Sequence, residues 1–182
     1  MMIRIRDKDG RSIPYFGLSS DDFNLLADTI QKVLLHKEHA LVCITGNKGV
    51  GKTTLGKLIR KKGFGPYRPK DIAVIDDDCM SVDTLFFFRR KYVHPCKGVD
   101  ELQPFLRFCK KKKVRFYVKS NPESRISRAD VLLKVHQPDE TRRGRLIQRY
   151  GAQKGDQVFR QTQSYHDTVR IEVDYELTAQ LQ

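Results

Sequence analysis

Eight consecutive residues, Gly46-Asn47-Lys48-Gly49-Val50-Gly51-Lys52-Thr53, follow the phosphate-loop pattern G-x-x-x-x-G-K-[ST]. Glycines at this spacing let successive backbone N–H groups turn toward one anion. The N-terminus of the following helix adds a partial positive charge. Lys52 would reach the β- and γ-phosphates of a bound nucleoside triphosphate, and the Thr53 hydroxyl would ligate Mg²⁺. Thr54 completes the candidate binding stretch 46–54. The flanks agree with the motif: Ala40-Leu41-Val42-Cys43-Ile44-Thr45 reads as a buried strand, and Lys52 to Lys62 as a helix.

Two further constellations carry potential chemistry. Asp76-Asp77-Asp78 ends the apolar run Ile72-Ala73-Val74-Ile75. Three adjacent carboxylates repel one another unless a cation is near. Asp76 or Asp78 would accept a proton from an attacking hydroxyl, and Asp76 would hold Mg²⁺ through water; the alternative is a solvated loop start. Arg142, Arg145 and Arg149 recur at helical spacing after Pro138-Asp139-Glu140. Guanidiniums on one helix face either clamp transferring phosphate oxygens or form an exposed basic face. Ser120-Asn121, closing the strand Val114 to Val118, reads as a γ-phosphate sensor or a turn before Pro122. The histidines form no metal-ligand pair; His94 and His136 read as structural.

The elements that must position these groups alternate. Residues 2–6 and 12–16 read as a hairpin, and a helix runs from Ser19 or Ser20 to about His36. Strands are expected at 40–45, 71–76, 114–119, 130–136 and 169–174. Helices are expected at 52–62, 82–92, 101–112, 138–150 and 155–165, with Pro138 at a first helical position. Alternation of this kind predicts a three-layer α/β/α fold with a five-stranded, mainly parallel sheet. Residues 1–38 form a hairpin and helix packed on a domain spanning 39–182.

Composition sets the bounds. A chain of 182 residues with 39% hydrophobic and 31% charged content suits one globular domain. No apolar run approaches a membrane span, and Met1 to Arg6 lacks a secretory core, so no membrane partner and a cytoplasmic location are expected. Cys43, Cys79, Cys96 and Cys109 show neither zinc nor disulfide spacing. Cys43 reads as a small buried hydrophobe. The net charge is +13, of which residues 89–115 supply +8 through Arg89, Arg90, Lys91, Lys97, Arg107, Lys110 to Lys113 and Arg115. Such a segment is either a solvated face or a site that captures anions, nucleic acid included.

The order of these parts resembles P-loop kinases of the nucleoside monophosphate, gluconate and shikimate kinase group. The resemblance rests on Gly46 to Thr53, Ile75 to Asp78, Val131 to Val135, Pro138 to Glu140 and the arginine helix ending Arg149-Tyr150-Gly151. The tail from His166 to Leu177 is similar to the final strand and helix of guanylate-kinase-like enzymes. The resemblance covers roughly residues 39–182, and only the phosphate loop is specific. It implies strand order 2-3-1-4-5, ATP with Mg²⁺ as donor, and a mobile lid around Arg142 to Arg149. It also implies an acceptor site between the second and third strands, where the basic segment falls, favouring an anionic small-molecule acceptor. Lys119-Ser120-Asn121 departs from the acidic or glycine-rich segment common after the third strand, and the lid lacks a diagnostic substrate signature.

The competing class is a nucleic-acid-directed ATPase, a packaging motor or small helicase, with Ile75-Asp76-Asp77 as the second nucleotide motif and Asn121 as sensor. Only 24 residues separate Lys52 from Asp76, too few for the extra strand such motors insert between the two motifs. A non-catalytic nucleotide-binding regulator is the third class. The residues favour an ATP-dependent phosphotransferase in which Lys52, Asp76, Asp78, Arg142, Arg145 and Arg149 carry the chemistry.

Overall fold

A computed structural model describes residues 5–6, 12–76, 81–82, 102, 106, 109–163 and 169–182. β1 (Ile5–Arg6) and β2 (Ser12–Ile13) pair antiparallel, as the hairpin pattern predicts. A 3₁₀ turn, Pro14–Gly17, leads into α1 (Ser20–His36). The Ser19 hydroxyl accepts from the Asp22 amide at 3.0 Å, and Asp21 and Asp22 lie in the positively polarised first turn.

There follow β3 (Ala40–Thr45), α2 (Lys52–Lys62), β4 (Ile72–Asp76), β5 (Ser81–Val82), β6 (Val114–Val118), β7 (Arg128–His136), α3 (Asp139–Tyr150), α4 (Ala152–Gln161) and β8 (Glu172–Gln180). Five strands run parallel in the order β4-β6-β3-β7-β8, and β5 joins the β4 edge antiparallel. Numbered without β1, β2 and β5, this is the order 2-3-1-4-5.

The central strands are continuously apolar because both faces are covered. Ala40, Val42 and Ile44 share one face with Val114, Phe116, Val118, Val131, Leu133 and Val135. On that face lie Leu26, Ile30 and Val33 of α1 and Leu55 and Ile59 of α2. Phe64 ties the N-terminal segment to the sheet: its ring centroid lies 4.4 Å from Phe23, 6.0 Å from Phe16 and 5.6 Å from Phe116. Cys43, Ile75, Tyr117 and Leu132 occupy the opposite face with Leu102 and Ile126.

Several expected boundaries move. The last strand is Glu172–Gln180 instead of 169–174, and the described part of the tail likened to a strand plus helix holds this strand and no helix. β7 is long enough to pair Arg128 with Glu172 at one end and His136 with Gln180 at the other. The alternation of Val173, Leu177 and Ala179 inward with Glu172, Asp174 and Glu176 outward suits that pairing. Pro138 is the N-cap of α3 instead of its first residue, with extended ψ of 137°. α4 occupies 152–161, starting directly after Gly151 instead of at 155. The helix expected at 82–92 has its first residue in β5, and 83–92 lies outside the described residues, as does half of 101–112.

Candidate functional site

In a parallel sheet every strand delivers its carboxyl end to the same edge. Here that edge gathers Thr45-Gly46 after β3, Asp76 after β4, Lys119-Ser120 after β6 and Gln137 after β7. The β6 exit is pinned to the loop base: the Lys119 amide donates to Ile44 O at 3.1 Å, and the Thr45 hydroxyl donates to Ser120 O at 2.9 Å.

Residues 46–51 form the turn between β3 and α2, and Lys52 and Thr53 open the helix. Gly46 has φ +146°, and a methyl group there would lie 3.2 Å from the carbonyl carbon of Val135, with the carbonyl oxygen nearer still. The loop can lie this close to β7 only because residue 46 has no side chain. Gly51 is the left-handed N-cap of α2 with φ +103° and no side chain to accept from the first-turn amides. The helix N-terminus therefore has no cap of its own, the condition under which an anion is welcome.

Lys52 is 9% exposed, and its ammonium donates to Gly46 O at 2.7 Å and Asn47 O at 3.0 Å. The charge is thus held over the loop by the loop's own carbonyls. Val50 is buried in the core, Thr53 is half-buried, and Lys48 and Thr54 are exposed. The Asn47 amide donates to Gln163 O at 3.0 Å, so the chain after α4 reaches back to the loop.

α3 and α4 form a hairpin against this loop. Methyl groups on Gly49 would meet Leu146 Cγ at 3.0 Å and Arg142 Cγ at 3.2 Å; one on Gly51 would meet the Arg145 guanidinium at 3.4 Å. The three arginines do not converge. Arg142 is 1% exposed, lies 4.1 Å above the Phe159 ring, and donates to Thr162 Oγ1 at 3.3 Å and Asp139 Oδ1 at 3.4 Å. Its Nε is buried without a partner, and burial holds its pKa below the usual arginine value, partly offset by Asp139. Arg145 donates to Gln137 Oε1 at 2.6 Å, and Gln137 in turn donates to Leu181 O at 3.2 Å. Arg149 is exposed and lies 5.2 Å from the Tyr150 ring centroid. Two turns of helix separate Arg142 from Arg149, so a shared face does not bring their heads together. The α3–α4 hairpin is also clasped by Arg143, which donates to both Asp156 oxygens at 2.6 and 2.9 Å; that pairing raises the arginine pKa and lowers the aspartate's.

Asp76 ends β4, half-buried, in register with Val118, which is itself in register with Ile44. Two strand spacings, roughly 10 Å, therefore separate it from the loop strand. Asp77 and Asp78 lie outside the described residues. Asn121 caps a 3₁₀ turn, its carbonyl accepting from the Ser124 hydroxyl at 2.9 Å.

Lys110 to Lys113 precede β6 and so lie at the amino edge of the sheet, opposite the loop. For these lysines the expected acceptor location between the second and third strands does not hold, because residues entering a parallel strand are at its far end from residues leaving it. Arg89, Arg90, Lys91, Lys97 and Arg107 lie outside the described residues. Cys43 and Cys109 are free and buried, and burial pushes both thiols up. Cys79, Cys96 and His94 are outside the described residues, and His136 is half-buried with Nδ1 unpartnered. Among the described residues no three His, Cys, Asp or Glu side chains gather as a metal site, and no helix is long and apolar enough to cross a membrane.

Gln137, Phe159, Thr162 and Gln163 were not singled out in the sequence, yet they hold the arginines and the loop. Only Gln137, placed between strand and arginine helix, carried any local signal.

No protein-family model and no curated protein matches the chain. Among solved structures, it is similar to a candidate fructose transport system kinase from Silicibacter sp. TM1040 at 17% identity and a TM-score of 0.42, covering 83% of this chain and 98% of that one.

Proposed function

We propose that this protein is a P-loop phosphotransferase that moves the γ-phosphate of ATP to an anionic acceptor. The observation that carries the reading is the loop geometry. A buried strand ends in a glycine turn that leads to an uncapped helix N-terminus, with the Lys52 ammonium buried over the turn. In this reading Lys52 exchanges the carbonyls of Gly46 and Asn47 for phosphate oxygens, and the α2 amides complete the cradle. The Thr53 hydroxyl and Asp76, directly or through water, are the groups offered to Mg²⁺, whose remaining ligands would be phosphate and water oxygens. Mg²⁺ supplies neutralisation of charge on the phosphates when bound.

The kinase reading is favoured over the motor reading by chain order. Residues 46–71 contain α2 and a 3₁₀ turn, Pro69–Asp71, and no strand, so the chain passes from the loop strand to the Asp76 strand with no further strand formed on the way, β6 entering between the two in the sheet only later. Arg145, beside Gly51, is the arginine best supported as a phosphate contact; Arg142 is better supported as the link between the hairpin and the loop. The test is transfer of radiolabelled γ-phosphate to a panel of nucleotides, phosphorylated metabolites and polynucleotide 5′ ends. Label moved to an acceptor by wild type and lost in folded Lys52→Ala supports the reading. Release of inorganic phosphate alone, stimulated by polynucleotide, refutes it in favour of the motor.

A further inference from the structure

A basic surface covers the edge of the sheet opposite the phosphate loop, and three separate segments build it. α2 runs from the loop back along the sheet, so Lys61 and Lys62 in its last turn arrive at the amino ends of the strands. A methyl group on Gly63 would meet Arg68 Cα and Pro69 Cδ at 3.2 Å, so the helix end abuts residues 68–70. The Lys112 ammonium donates to Lys70 O at 2.6 Å and draws the turn Lys110 to Lys113 onto the same surface. The register agrees, since Ile72 and Ala40 both pair with Val114.

Lys61, Lys62, Arg68, Lys70, Lys110, Lys111 and Lys113 are exposed here. The carboxylates nearby in the chain are Asp71, 3.8 Å from Arg68, and Glu38 beside His39. Among the described residues no carboxylate pairs with the six lysines of that set. The other half of the sheet is different. Lys37 pairs with Asp130 and Asp174, Arg128 with Glu172 and Asp174, and Lys134 with Glu176. Among the described residues, positive charge is therefore compensated around β7 and β8, while the lysines before β4 and β6 have no carboxylate partner. Like charges held together repel, and a polyanion relieves that repulsion over several contacts at once.

We infer that this surface docks the phosphate backbone of a nucleic acid at a site separate from the phosphate loop. The rise of α2, eleven residues long, separates the two by roughly 16 Å, so an occupied basic surface leaves the loop accessible. An anionic membrane fits less well, because interfacial binding pairs charge with inserted apolar side chains. Of the large exposed apolar residues among those described, Leu25 and Tyr175 lie elsewhere on α1 and β8, and Leu35, in the last turn of α1 near this edge, is a single side chain and not an apolar face. Among the described residues of this surface Phe64 is buried and Tyr67 partly buried, so neither offers an aromatic platform for unstacked bases. On the described residues, docking is by backbone charge, tolerant of sequence, and stronger for duplex than for single strand.

The test is fluorescence anisotropy of a short labelled duplex of mixed sequence across a salt series, with wild type and Lys61→Glu/Lys62→Glu/Lys110→Glu/Lys111→Glu/Lys113→Glu. With about five phosphates neutralised, log affinity falls against log salt with a slope of roughly −4 to −5. The variant loses at least tenfold in affinity and shows a flatter slope, while folded Lys52→Ala binds the duplex like wild type. If the five-fold variant does not melt cooperatively, Lys110→Gln/Lys111→Gln/Lys113→Gln gives the same comparison with a smaller loss. Absence of duplex binding by wild type, binding that neither variant weakens, or capture of phosphatidylserine vesicles in preference to duplex overturns the inference.

Discussion

Replacing Gly46 by alanine tests whether the phosphate loop depends on its close approach to β7. At φ +146° the residue occupies backbone space that L side chains rarely adopt, a strain of about 1–3 kcal/mol. The new methyl would also lie 3.2 Å from the Val135 carbonyl carbon and 3.3 Å from its Cγ2, with the carbonyl oxygen closer. Normal contact lies at about 3.5–4.0 Å, so the loop must retreat by on the order of 1 Å or distort β7. Overpacking of this kind costs about 1–3 kcal/mol more. A combined loss of roughly 2–6 kcal/mol lowers the melting temperature by about 4–24 °C for a domain of this size. A displacement near 1 Å is also enough to weaken oriented phosphate contacts about a hundredfold. The assay is thermal melting with and without ATP and Mg²⁺. A Gly46→Ala protein that melts within about 2 °C of wild type and retains the full nucleotide shift would refute the reasoning, because a loop so tolerant is not held against Val135.

Two other glycines should respond in opposite directions. Gly144, inside α3 with nothing within 4 Å of an added methyl, should gain about 0.5–1 kcal/mol on mutation to alanine. Gly155→Ala would bring a methyl 2.6 Å from Ile147 Cα and should part α3 from α4, costing about 2–3 kcal/mol by urea titration. Arg142→Met should stay within about 1.5 kcal/mol of wild type, since it keeps volume and removes a buried guanidinium with an unpartnered Nε. Arg142→Ala should cost about 3–5 kcal/mol; equal effects of the two would place the contribution in the charge instead of the packing. Asp174 is held below its ordinary 3.8, first by the Lys37 hydrogen bond and then by Lys37 and Arg128 charge. A depressed carboxylate stabilises the fold above its unfolded pKa and loses that contribution as pH falls through the folded value. Asp174→Asn should therefore lower the urea midpoint at neutral pH and flatten its decline below about 3.8.

Local information made the glycine turn after β3, the Ser19 cap and the buried strands Ala40–Thr45, Ile72–Asp76 and Val114–Val118 legible. Each depends on residues within a few positions of one another: glycine φ freedom, a hydroxyl three residues before an amide, a run of β-branched and apolar side chains. The parallel sheet also followed from the alternation of strands and helices, while its order 2-3-1-4-5 was implied by the resemblance to P-loop kinases and is the order observed. What Arg142, Arg145 and Arg149 do was not legible. Helical spacing states that they share a face but not that Phe159 and Thr162 cover one, Gln137 takes the second and Tyr150 the third. The length of β8 was set by β7, which offers partners up to His136, and not by the tail's own propensity. The lysine run before β6 was visible as charge, but which edge of the sheet it occupies depends on strand direction. Sequence alone determined the glycine turn and the lysine and arginines proposed to meet a phosphate; the tertiary structure decided which neighbours stand beside them, since those contacts join residues far apart in the chain.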